Sequence, residues 1–105
     1  MLEVKIVLVL TIFDSDQQRS STGSSELQLP FIPFKGLNFG YKFIDSLTEI
    51  ERISWIEETK SFRCEMKPII ADNGWDLPSF EEYIAFAKNE GWQHFDKIID
   101  ERDLS

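Results

Sequence analysis

From Leu2 to Ile12 every even position is apolar: Leu2, Val4, Ile6, Leu8, Leu10 and Ile12. The odd positions open with Glu3 and Lys5 and turn apolar at Val7 and Val9. Alternation of period two predicts a strand, and apolar residues on both of its faces place that strand in the middle of a sheet. The run also has the length of a signal-peptide hydrophobic region. Against that, Glu3 precedes Lys5 and no small-x-small cleavage pattern follows in "DSDQQRSS". It is too short to cross a bilayer as a helix.

Residues 14–26, "DSDQQRSSTGSSE", contain no apolar residue. With nothing to bury, the segment has no means of offsetting the entropy of ordering, which predicts a mobile loop. The next stretch, "FIPFKGLNFGYKF" at 31–43, is dense in rings. Leu37, Phe39, Tyr41 and Phe43 alternate with Asn38, Gly40 and Lys42, as in a strand with one buried face. Pro30 and Pro33 lack the ladder donor, so 29–34 is expected to be an edge strand or an extended approach to one. The prolines also spell P-x-x-P, but Phe31, Ile32 and Phe34 are too apolar for an exposed adaptor ligand.

A hairpin is expected from 50–57 and 62–68. Ile53 and Trp55 alternate with Arg52 and Ser54, Phe62, Cys64 and Met66 with Arg63, Glu65 and Lys67, and the polar "EETKS" lies between. Pro68 ends its second arm and "ADNG" at 71–74 reads as a turn. Ser79 and Glu82 then have capping-box spacing. Phe80, Tyr83, Ile84 and Ala87 fall at helical intervals, and Gly91 supplies a left-handed stop, so a helix is predicted from Phe80 to Glu90. Residues 94–103 place Phe95, Ile98, Ile99 and Arg102 on one face, predicting a second short helix, with a returning strand as the alternative. The expected fold is α+β: an antiparallel sheet of about four strands followed by one or two C-terminal helices packed on one face, in a single domain spanning 1–105.

Composition sharpens the functional side. Forty-two per cent of the chain is hydrophobic, which is too much for a disordered polymer even with a net charge of −8. Residues 76–105 hold eight acids against three bases, so the last third is the most acidic part. Such a surface repels phosphate backbones and anionic membranes, and the expected partner is a protein: a second copy of the chain or a basic partner. Cys64 is the only cysteine, which excludes an internal disulfide and a cysteine-based zinc site and points to a reducing cytoplasm.

Candidate chemistry is sparse. His94 is the only histidine, so any relay or metal site using histidine must pass through it, and a surface or half-packed position is preferred. Asp14 and Asp16 are too few ligands for a cation, and "ADNGWD" fails the spacing of a calcium loop. No glycine-rich phosphate loop is present. No catalytic residue, cofactor site or metal site is assigned.

Three functional classes follow. The favoured one is a non-catalytic protein-interaction module that self-associates through a sheet edge or an uncovered sheet face, with Phe31 and Phe34 as contact residues. The second is an acidic immunity-type inhibitor of a basic toxin or nuclease, steered by Glu81, Glu82, Asp96 and Asp100. The third is a small ligand carrier or enzyme with a pocket between helix and sheet, lined by Phe80, Tyr83 and the hairpin aromatics.

Overall fold

A computed structural model describes residues 3–15, 18–40, 48–71, 79–95 and 97–100, the side chain of Asp100 excepted. Strand occupies 56% of it and helix 12%, so the chain is mostly sheet. Seven strands, β1 (Val4–Asp14), β2 (Arg19–Leu29), β3 (Asn38–Phe39), β4 (Thr48–Ile56), β5 (Ser61–Met66), β6 (Ile69–Ala71) and β7 (Ile98–Asp100), form a curled mixed sheet. Among the described residues there is one helix, α1, spanning Phe80–Asn89. The order across the sheet is β3-β4-β5-β1-β2-β7, with β6 also paired to β1.

This overturns the antiparallel four-strand sheet with one or two helices on two counts. First, β5 and β6 run parallel to β1. Second, the expected helix at 94–103 is replaced by β7, which pairs antiparallel with β2 from Ser21↔Ile98 to Arg19↔Asp100. The chain leaves α1 in a Schellman turn: Gly91 has φ +95°, Trp92 N–H donates to the Ala87 carbonyl, and Gly91 N–H to that of Lys88. Gln93 then exchanges two backbone hydrogen bonds with Ser24, both 2.9 Å, so pairing with β2 begins before a second helix has room to start.

The loop expected at 14–26 is also corrected. Residues 19–29 form β2, paired with β1 over eleven residues from Asp14↔Arg19 to Val4↔Leu29. Ser21, Gly23 and Ser25 lie opposite Ile12, Leu10 and Leu8 on the core side. Gly23 is bare because Phe95 fills the space above it: a Cβ there would stand 2.3 Å from the Phe95 ring. The apolar cover of β2 is thus supplied by residues some seventy positions further along the chain.

The even positions of β1 behave as the alternation predicts. Ile6, Leu8, Leu10 and Ile12 are buried, and Phe80, Ile84 and Ala87 of α1 belong to the same core with Trp92 and Phe95. Between β5 and β6 the offset from β1 changes by one residue, from Val9↔Glu65 to Ile12↔Ile69. The irregularity falls at Lys67 and Pro68, where proline has no N–H to lose. It switches the inward parity from even positions (Cys64, Met66) to odd ones (Ile69, Ala71) and keeps both pieces facing the core. A second irregularity between Ile50 and Arg52 does the same in β4. The β4–β5 hairpin forms as expected, with Arg52 directly opposite Glu65 at 3.7 Å. Trp55 departs from expectation: it is 49% exposed, its ring 4.9 Å from Phe62 and its indole N–H donating to Glu57 at 2.8 Å.

α1 starts at Ser79, whose Oγ accepts from Glu82 N–H at 3.2 Å, as the sequence spacing requires. The aromatic stretch splits. The chain leaves β2 at Leu29 and must pass β1 and β5 to reach the outer side of β4, where Gly36 N–H donates to the Ile50 carbonyl. Leu37 and Phe39 pack against the core, whereas Tyr41 and Phe43, like the turn at 72–74, lie outside the described residues.

Candidate functional site

Two surfaces stand out. The first is the crossing between β2 and β3. Pro33 is buried and anchors it, while Phe31, Ile32 and Phe34 face outward at 43%, 62% and 54% exposure, the two phenyl rings 6.5 Å apart. Burying the proline fixes the backbone, and the flanking rings are left outside because no element among the described residues covers them.

The acidic residues proposed for a basic partner do not share that surface. Phe31 follows Leu29, which pairs with Val4 at one end of β1, whereas Glu81 meets Arg19 beside Asp14 at the other end. The Asp14 carboxylate is fully buried and accepts from Arg19 Nε at 2.9 Å; the guanidinium also pairs with Glu81 and lies 4.7 Å from the centroid of the Phe80 ring. Its hydrogen bond to Asp14, the largest influence, holds the Arg19 pKa above the ordinary value. Glu81 therefore has an internal role in tying α1 to the β1–β2 hairpin. Glu82 is exposed in the first turn, where the helix dipole favours an acid. Asp96 lies outside the described residues, and of Asp100 only the backbone, paired with Arg19, is described.

The second surface is on the face of β1 turned away from α1. Here Val7 and Val9 form the floor of an open hollow of about 300 Å³ that reaches from Ile56 at the end of β4 across β5 and β1 to β2. Its sides carry the hydroxyl residues Thr22, Ser24, Thr59 and Ser61. Thr59 and Ser61 share a hydrogen bond of 2.7 Å, and Thr22 bonds Thr11 at 2.8 Å. Arg63 and His94 complete the lining. His94 has φ +73°, a left-handed conformation uncommon for a residue with a Cβ. It begins a bulge: on β2 only Thr22 and Gly23 separate the pairs Ser24↔Gln93 and Ser21↔Ile98, while the facing stretch from Gln93 to Ile98 is longer. Within that bulge Phe95 enters the core, and Ser21 Oγ holds it at 3.1 Å from the Phe95 carbonyl and 2.8 Å from that of Lys97.

The pocket expected between helix and sheet is thus not where this hollow lies: Phe80 is fully buried in the core and Tyr83 packs against it. The hollow had a trace in the sequence. Val7 and Val9 were apolar on the second face of a central strand, which implied a cover that no described element provides. Half of the hydroxyl rim, Thr22 and Ser24, was hidden in the segment read as a loop, and the other half, Thr59 and Ser61, in the polar stretch of the hairpin.

Cys64 is a fully buried core side chain, and burial pushes its thiol up to about 11. Among the described residues no group of three histidine, cysteine or acidic side chains is placed to hold a metal ion, and no helix is long and apolar enough to cross a membrane. The chain matches no protein-family model, no curated protein and no solved structure.

Proposed function

We propose that this chain is a non-catalytic interaction module that pairs with a second copy of itself through the crossing at 30–34. The observation that carries the reading is the outward exposure of Phe31, Ile32 and Phe34 on a backbone pinned by buried Pro33. The occupant follows from charge. On a chain of net −8, the stretch "LQLPFIPF" from Leu27 to Phe34 has no ionisable side chain, so two copies meeting there place no like charges in contact. The free, buried Cys64 fits a reducing, cytoplasmic setting. The acidic-inhibitor reading has less support, because Glu81 is engaged by Arg19.

Light scattering on the purified chain tests the reading. A doubled mass that persists as salt rises, and that reverts to the single mass in a Phe31→Ser/Phe34→Ser variant, is the expected result. A single mass at all concentrations would remove self-association. A dimer unaffected by the double substitution would remove this surface.

A further inference from the structure

We infer that the hollow opposite α1 is a binding site for a small organic monocarboxylate with a short apolar body. This is independent of the self-association surface, which lies at a different part of the sheet. The inference begins with the floor. A solvated sheet face ordinarily carries long charged side chains, yet Val7 and Val9 sit side by side there, half-buried, with Ile56 at one end. The rim residues Thr22 and Ser24 of β2 and Ser61 of β5 are small, which is what leaves room above the valines. A space of about 300 Å³ is at the lower end for ligand sites, so the body must be short.

The polar groups define the other half of the ligand. Arg63 sits on β5 next to Val7. Its contact with Glu65 is made through Nε at 3.8 Å, too long for a hydrogen bond, and Glu65 is shared with Arg52 at 3.7 Å. The guanidinium fork is therefore only loosely held by the protein, and a carboxylate is the group whose geometry matches it in two parallel hydrogen bonds. The His94 imidazole and the rim hydroxyls add short-range donors. Lys97 borders an adjoining hollow that shares Thr22 and His94, adding a cation on that side. On the other side, the neighbouring hollow that shares Val9, Thr22 and Arg63 is lined by Glu51, Arg52 and Glu65. Glu65, 3.8 Å from Arg63, repels a multiply charged anion more than a singly charged one, which argues for a single carboxylate over a phosphate.

Hexanoate, hexan-1-ol and inorganic phosphate separate the contributions when titrated into the nitrogen-15-labelled chain and followed by amide shifts. The expected result is saturable movement of the Val7, Val9, Ser24 and Arg63 amides with hexanoate. Hexanol, lacking the charge-assisted bonds, should bind about tenfold more weakly, and phosphate should move none of these amides. Arg63→Gln, at a half-exposed position, should reduce hexanoate binding to the level of hexanol and leave hexanol unchanged. Equal affinity for hexanol and hexanoate would overturn the carboxylate assignment. Phosphate binding as well as hexanoate would overturn the role of the valine floor. Shifts confined to other parts of the chain, or none at millimolar hexanoate, would overturn the site itself.

Discussion

Gly23 and Phe95 form a pair in which one residue exists to leave space for the other. Because a Cβ at position 23 would lie 2.3 Å from the ring of fully buried Phe95, Gly23→Ala must displace that ring and the bulge that carries it. Overpacking of this kind costs about 1–3 kcal/mol. Chemical denaturation should show the loss, and Phe95→Leu, itself destabilising, should make the added cost of Gly23→Ala much smaller. Additive losses would mean that the strand adapts without involving Phe95. Cys64 offers a second test at this scale. With its thiol raised from 9.0 to about 11 by burial, the folded state keeps a proton that the unfolded chain releases first, so stability is fully present below pH 9 and declines as pH rises from 9 to 11. The full decline is about 3 kcal/mol as an order of magnitude. Cys64→Ala, less stable at neutral pH through its lost packing, should show a shallower fall over the same window.

At the scale of elements, the triad of Asp14, Arg19 and Glu81 separates a strong link from a weak one. Arg19→Ala leaves a fully buried carboxylate without its guanidinium and strips the cation from the Phe80 ring, a loss of about 3 kcal/mol or more. Glu81→Ala removes an exposed partner and should cost under about 1 kcal/mol. Thermal melts of the two variants that fell by similar amounts would show that the helix contact, and not the buried carboxylate, dominates. The same elements show what can be read from a linear pattern. β1, the β4–β5 hairpin and the capped helix carry their own periodicity and caps, so each was legible within a dozen residues. β2 was not, because Gly23 acquires its cover from Phe95, and the strand's backbone bonds are made to β1 whatever its side chains. The parallel pairing of β5 with β1 was likewise hidden, since period two is the same in either direction. Ile98 and Ile99 suited a helix face, but the Gly91 turn and the Gln93 pairing commit the chain to a strand before they are reached.

At the scale of the whole molecule, the two faces of the sheet are unequal. One is closed by α1; the other is open and floored by valines. Of the candidate sites, the Phe31 and Phe34 surface was visible as ring density in the sequence, while the hollow required the curl of four strands to exist. The consequence for assembly concerns salt. A contact made by Phe31, Ile32 and Phe34 gains its free energy from apolar burial, which added salt leaves intact or strengthens, while the repulsion between two chains of −8 is screened. The association constant of the pair should therefore rise modestly between low and physiological ionic strength. Sedimentation equilibrium at the two conditions measures this directly. An association that weakens as salt is added would instead require ion pairs across the interface, which Leu27 to Phe34 has no charges to make.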